Sequence, residues 1–156
     1  MYRTTGLLLT FLLIGCSDPD TKTHDLALGE AVLTINNIEY LAEASLGTRL
    51  LGETEYEQIS LFVSDSLSID ILNQEFKEGF VSWSGEAFTS EGTMLFMRHH
   101  AMAGYGPTQG FLIIGDISDL TISGRFDMEL YNFASSCYQC PQDEVSVEGQ
   151  FLAVMQ

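Results

Sequence analysis

The stretch Leu120-Thr-Ile-Ser-Gly-Arg-Phe-Asp-Met-Glu-Leu130 decides the fold class. Leu120, Ile122, Gly124, Phe126, Met128 and Leu130 alternate with Thr121, Ser123, Arg125, Asp127 and Glu129. A period of two puts the first set on one face of a strand and the second on the other, so the segment reads as a half-buried β-strand. The last residues repeat the pattern, with Val145, Val147, Gly149, Phe151 and Ala153 inward and Ser146, Glu148 and Gln150 outward. The two segments are expected to form a long antiparallel pair joined through residues 132 to 144.

Upstream, Ala31 to Ile35 and Ile38 to Ala44 flank Asn36-Asn37. Asn tolerates positive φ, which two-residue hairpin turns require, so strand, tight turn and strand are expected. Between the two hairpins run Gln58 to Val63, Leu67 to Leu72, Phe80 to Trp83, Thr93 to His99 and Gly110 to Ile117, separated by Ser64-Asp65, Glu78-Gly79, Glu91-Gly92 and the glycine-rich 101 to 110. The one arguable helix is Ile71 to Glu78. Eight or nine short strands at hairpin spacing predict a single all-β domain, an antiparallel β-sandwich or β-barrel.

The amino terminus carries a different signal. Arg3 precedes the apolar run Gly6 to Ile14, followed by Gly15-Cys16, which is the layout of a secretory leader. As a helix that run covers about 15 Å, against a bilayer core of about 30 Å, so it is short for a permanent span. Cleavage is expected between Gly15 and Cys16. The organisation is then a leader over 1–15, Cys16 with a polar tether over 16–27, and a β domain over 28–156.

Removing the leader takes Arg3 with it and leaves five basic against 22 acidic side chains, a formal −17. Phosphate binding runs on Lys and Arg, so no nucleic-acid partner is expected. Of three cysteines, Cys137 and Cys140 remain for the domain. In an oxidising compartment Cys137-Tyr-Gln-Cys140 is first a short-loop disulfide. Free or metal-bound thiols and a redox pair stay open, although a redox motif needs a helix start behind it and Pro141 with a strand follows instead.

Other constellations carry less. On a strand, His99 and His100 point to opposite faces and cannot grip one ion. Glu53, Glu55 and Glu57 would share a face without the calcium-loop pattern. Gly104, Gly106 and Gly110 lead into the strand Phe111 to Ile114 rather than the helix a phosphate cradle needs. No Gly-x-Ser-x-Gly elbow is present. Tyr56, Phe80, Trp83, Phe88 and Tyr105 could line a ligand mouth, while Val81 and Trp83 also fit a core face. No catalytic residue, metal site or cofactor is expected, and the chain reads as non-enzymatic.

Leu13-Ile14-Gly15-Cys16 resembles the lipobox of bacterial lipoproteins, in which the cysteine thiol is alkylated by a diacylglycerol. Together with the early Thr34-Ile-Asn-Asn37 turn, Ile122-Ser-Gly-Arg-Phe126 and Val147-Glu-Gly-Gln-Phe151, it resembles small β-rich lipoproteins of Gram-negative envelopes. That resemblance implies a covalent lipid on Cys16, acylation of the new amino terminus and, with Ser17 beside it, sorting to the outer membrane, on either its periplasmic or its outer face. It carries no catalytic residues. Asn36-Asn37 stands where those proteins usually have Asn-Gly, and the Cys137/Cys140 pair lies outside their pattern. The expected function is a membrane-tethered binding module for a protein, a glycan or a small ligand. A carrier of an apolar ligand in a barrel cavity is the alternative, and a hydrolase stands third.

Overall fold

The computed structural model describes residues 24–84, 92–99, 104–132 and 144–155. Nine strands cover most of them: β1 (Glu30–Ile35), β2 (Ile38–Leu51), β3 (Thr54–Ser64), β4 (Leu67–Asn73), β5 (Gly79–Ser84), β6 (Met94–His99), β7 (Gly104–Ile117), β8 (Thr121–Asn132) and β9 (Glu144–Met155). There is no helix among the described residues. Ile71–Asn73 end β4 and residues 74–78 form a loop, so the arguable helix over 71 to 78 is not formed. Ile71 continues the alternation of β4, Leu72 beside it is also buried, and Phe76 enters the core from the loop.

Each strand hydrogen-bonds the next around a ring, β1–β2–β3–β4–β6–β7–β8–β9 and back to β1, with β5 attached to β7 as a ninth. Of the two architectures expected, the chain adopts the barrel. Closure removes the sheet edges that a flat antiparallel sheet exposes. All pairings are antiparallel except a two-residue parallel contact, Ser45↔Val154 and Leu46↔Met155, where β2 runs beyond the short β1 and meets β9. Asn36 (φ 48°) and Asn37 (φ 65°) make the β1–β2 turn, the left-handed pair their sequence suggested.

The segment ahead of β1 is hydrogen-bonded to β9 at His24 and Gly29. The His24 N–H donates to Oε1 of Gln150 at 3.1 Å, and the Gly29 N–H donates to the Leu152 carbonyl at 2.9 Å. β7 starts earlier than the glycines suggest: residues 104 to 110 are strand, with the ladder to β8 shifting register between Pro107 and Gln109. A bulge is where a strand tolerates proline.

One apolar cluster fills the ring, with contributions from every strand. Leu33, Ile59, Leu61, Ile69, Ile71, Leu112, Leu130 and Val147 are each fully buried. Leu120 is the exception to the alternation read from the sequence; it sits in the turn before β8 and is 64% exposed.

Candidate functional site

The barrel interior is packed with side chains. Register places Gly124 opposite Phe151 and Phe126 opposite Gly149. A Cβ at Gly149 would lie 2.5 Å from Cε1 of Phe126 and 2.9 Å from Cδ2 of Leu33; one at Gly124 would lie 2.9 Å from Cε1 of Phe151 and 2.7 Å from the Ile113 carbonyl oxygen. Each ring therefore lies over the glycine of the neighbouring strand, covering backbone that would otherwise be bare, a device known to rescue glycine in sheets. The two Gly-x-Phe motifs interlock, and both rings are buried. Trp83 is 3% exposed in the same core cluster, and its indole Nε1–H meets no acceptor among the described residues. The inward run Val81 and Trp83 belongs to the core, as does Tyr105. Phe80 is 61% exposed and stacks on Phe111 with ring centroids 5.7 Å apart. Phe88 lies outside the described residues.

The opening in this wall arises from how β7 is shared. β6 takes only its first residues, Met97↔Tyr105 and Arg98↔Gly104, and β5 takes Gln109 to Ile114 on the same edge. Below that junction β5 and β6 part, and a cavity of about 500 Å³ lies between the β4–β5 loop and β5. Its floor includes Phe76, Val81, Leu112 and Ile114, all buried core residues. Its rim is polar, with Glu75, Lys77 and Glu78 in the loop. Two hydrogen bonds hold the loop in place. The Phe76 N–H donates to Oε2 of Glu57 at 2.7 Å, and Nδ2 of Asn73 donates to Oγ1 of Thr93 at 2.8 Å. Lys77 Nζ stands 3.1 Å from Oε2 of Glu75.

A second polar constellation lies on the outside of β2, β3 and β4. Asp70 Oδ1 accepts from Nε2 of Gln58 and from Oγ of Ser60, both at 2.8 Å, and Oδ2 accepts from Arg49 at 3.4 Å. Phe62, 44% exposed, and Phe96, 39% exposed, flank it on β3 and β6. Three donors converge on the Asp70 carboxylate, which makes it the centre of a structural network across β2, β3 and β4.

The sequence-derived residues divide accordingly. Of Glu53, Glu55 and Glu57, the first is in the β2–β3 turn and the last anchors the cavity loop. His99 ends β6. Gly15, Cys16, His100, Cys137 and Cys140, with the cleavage, lipid and disulfide assignments they carry, lie outside the described residues. Among the described residues no three His, Cys, Asp or Glu side chains converge as a metal site, and no helix is long and apolar enough to cross a membrane. Sequence reasoning missed the cavity, because its rim residues 74–78 looked helical; the signal was the change from strand alternation to Phe76-Lys-Glu-Gly79.

Comparison with known proteins gave no matching family model, no similar curated protein and no similar solved structure.

Proposed function

We propose that the protein is exported, cut before Cys16, held to the envelope by lipid on that residue, and works as a non-catalytic binding module that uses the outside of its barrel. One observation favours the module over the carrier: among the described residues the inward positions of the ring form one packed apolar cluster, and the cavity beside β5 has a polar rim. The inward positions hold Leu, Ile, Val, Met and interlocked Phe side chains at core burial, whereas carriers of apolar ligands leave a wide lumen. Binding then falls to the cavity beside β5 and to the exposed apolar side chains of the outer face.

The membrane address rests on the leader, the Leu13-Ile14-Gly15-Cys16 tetrad and the resemblance to Gram-negative lipoproteins. Two or three acyl chains make such attachment durable, since each buried CH₂ contributes about 0.8 kcal/mol. The acidic surface suits a protein or neutral-glycan partner better than a phosphate-rich one.

Two measurements test the reading. Cells fed labelled palmitate should yield a labelled band from the wild type and none from Cys16→Ser; an unlabelled wild type refutes the anchor. Titration of the purified mature domain with a fluorescent fatty acid should give no saturable one-to-one binding; stoichiometric uptake would restore the carrier.

A further inference from the structure

We infer that β5 is a docking edge at which an extended, cationic peptide segment adds as a further strand, its side chains entering the cavity between β5 and the β4–β5 loop. The inference deepens the binding-module reading and rests on it, naming the class of partner.

Three observations lead there. First, among the described residues β5 pairs with β7 alone, and its other edge takes part in no strand pairing there, while the other eight strands close the ring. Second, the strand itself carries none of the in-strand devices that block pairing. Natural edge strands carry inward charges, Lys, Pro or a bulge that prevents pairing with foreign chains. Gly79-Phe-Val-Ser-Trp-Ser84 has none of these, and its register with β7 runs without a shift. An uncharged, bulge-free strand suits strand addition, in which main-chain bonds supply affinity and pockets for alternate side chains supply selectivity. Third, the pocket is present. The inward set of an added strand would face Val81, Phe76 and Leu112, and the outward set would meet the exposed Phe80–Phe111 stack.

Charge then selects the partner. Glu75 and Glu78 line the cavity, Glu57 holds its loop through the Phe76 N–H, and Lys77, the cation among the described lining residues, is paired with Glu75. With a formal net charge of −16 on the whole chain, the field at this edge repels acidic segments and draws Lys- or Arg-bearing ones. A peptide alternating apolar and basic residues satisfies pocket, edge and field together.

The experiment uses the mature chain with Cys16→Ser, isotope-labelled for NMR, and two synthetic probes matched to the six residues of β5: an alternating Lys-Val peptide and its Glu-Val counterpart. Saturable amide shifts centred on Gly79–Ser84 are expected with Lys-Val only. Affinity should fall several-fold on raising salt from about 0.05 to 0.5 M, as screening shortens, and several-fold in Glu78→Lys, an exposed change that leaves the fold intact. N-methylation of one alternate set of peptide amides should abolish binding, and of the other set should leave it unchanged, because only one peptide edge faces β5. Equal tolerance of both methylated sets, shifts centred elsewhere, equal binding by Glu-Val, or no saturation would overturn the proposal. Palmitate labelling of the wild type is a separate readout, so a failure at β5 with labelling intact refutes the docking edge and not the anchor.

Discussion

Replacing Gly149 or Gly124 by alanine sets two opposed effects against each other. Alanine loses less backbone entropy on folding than glycine, which on its own would stabilise an extended position by about 0.5–1 kcal/mol. Here the added methyl has nowhere to go. At position 149 it lies 2.5 Å from Cε1 of Phe126 and 2.9 Å from Cδ2 of Leu33, both buried. Overpacking of this kind costs about 1–3 kcal/mol, so the clash outweighs the entropy, and a net loss of about 1–2 kcal/mol is expected. Gly124→Ala should cost more. Its methyl also approaches the Ile113 carbonyl oxygen at 2.7 Å, and backbone yields less readily than a ring. For a domain of this size each kcal/mol lowers Tm by roughly 2–8 °C.

Urea denaturation of Gly149→Ala, Phe126→Leu and the double variant measures the coupling directly. Shrinking the ring frees the space the methyl needs, so the double variant should be less destabilised than the sum of the singles by about 0.5–3 kcal/mol. Additive losses, or an alanine at 149 that stabilises, would refute the interlock of the two Gly-x-Phe motifs.

At the β1–β2 turn, Asn37 holds φ 65°. Asn37→Gly should be neutral or raise stability by up to about 1 kcal/mol, and Asn37→Val should cost about 1–2 kcal/mol, read as shifts in the urea midpoint. Trp83→Phe removes a buried indole N–H that meets no acceptor among the described residues, a group worth about 1–3 kcal/mol against folding when unpaired. This relief offsets the lost ring area, so Trp83→Phe should stay within about 1 kcal/mol of wild type, whereas Trp83→Ala should cost about 3–5 kcal/mol. Asp70→Ala strips the shared acceptor from Gln58, Ser60 and Arg49; in this half-exposed setting a loss of about 1 kcal/mol by thermal melt is expected, with no change in peptide binding at β5.

Much of the fold was legible in the sequence because alternation is a local signal. The Asn36-Asn37 hairpin and the β8–β9 pair follow from side-chain period and turn chemistry alone. Closure was not legible. It depends on β1 meeting β9, with Glu30 opposite Leu152, and on two residue pairs between β6 and β7; such long-range pairing leaves no periodic trace. Strand extents were understated where polar or glycine-rich sequence continues the ladder. β2 runs on through Gly47, Thr48 and Arg49, and β7 begins inside Gly104-Tyr-Gly-Pro107, where a bulge absorbs the proline. The interlock was half visible. The two Gly-x-Phe repeats stood out as a pair, but only the antiparallel register turns them into mutual covers. The cavity was hidden, because it exists only through the way β5 and β6 divide one edge of β7.

The central claim concerns Cys16, and the mass of the mature amino-terminal peptide tests it most directly. Membrane-extracted protein, digested and analysed by mass spectrometry, should give a peptide starting at Cys16 that carries diacylglycerol on sulfur and an acyl chain on nitrogen. An unmodified thiol at Cys16, or a chain still beginning at Met1, would contradict the account.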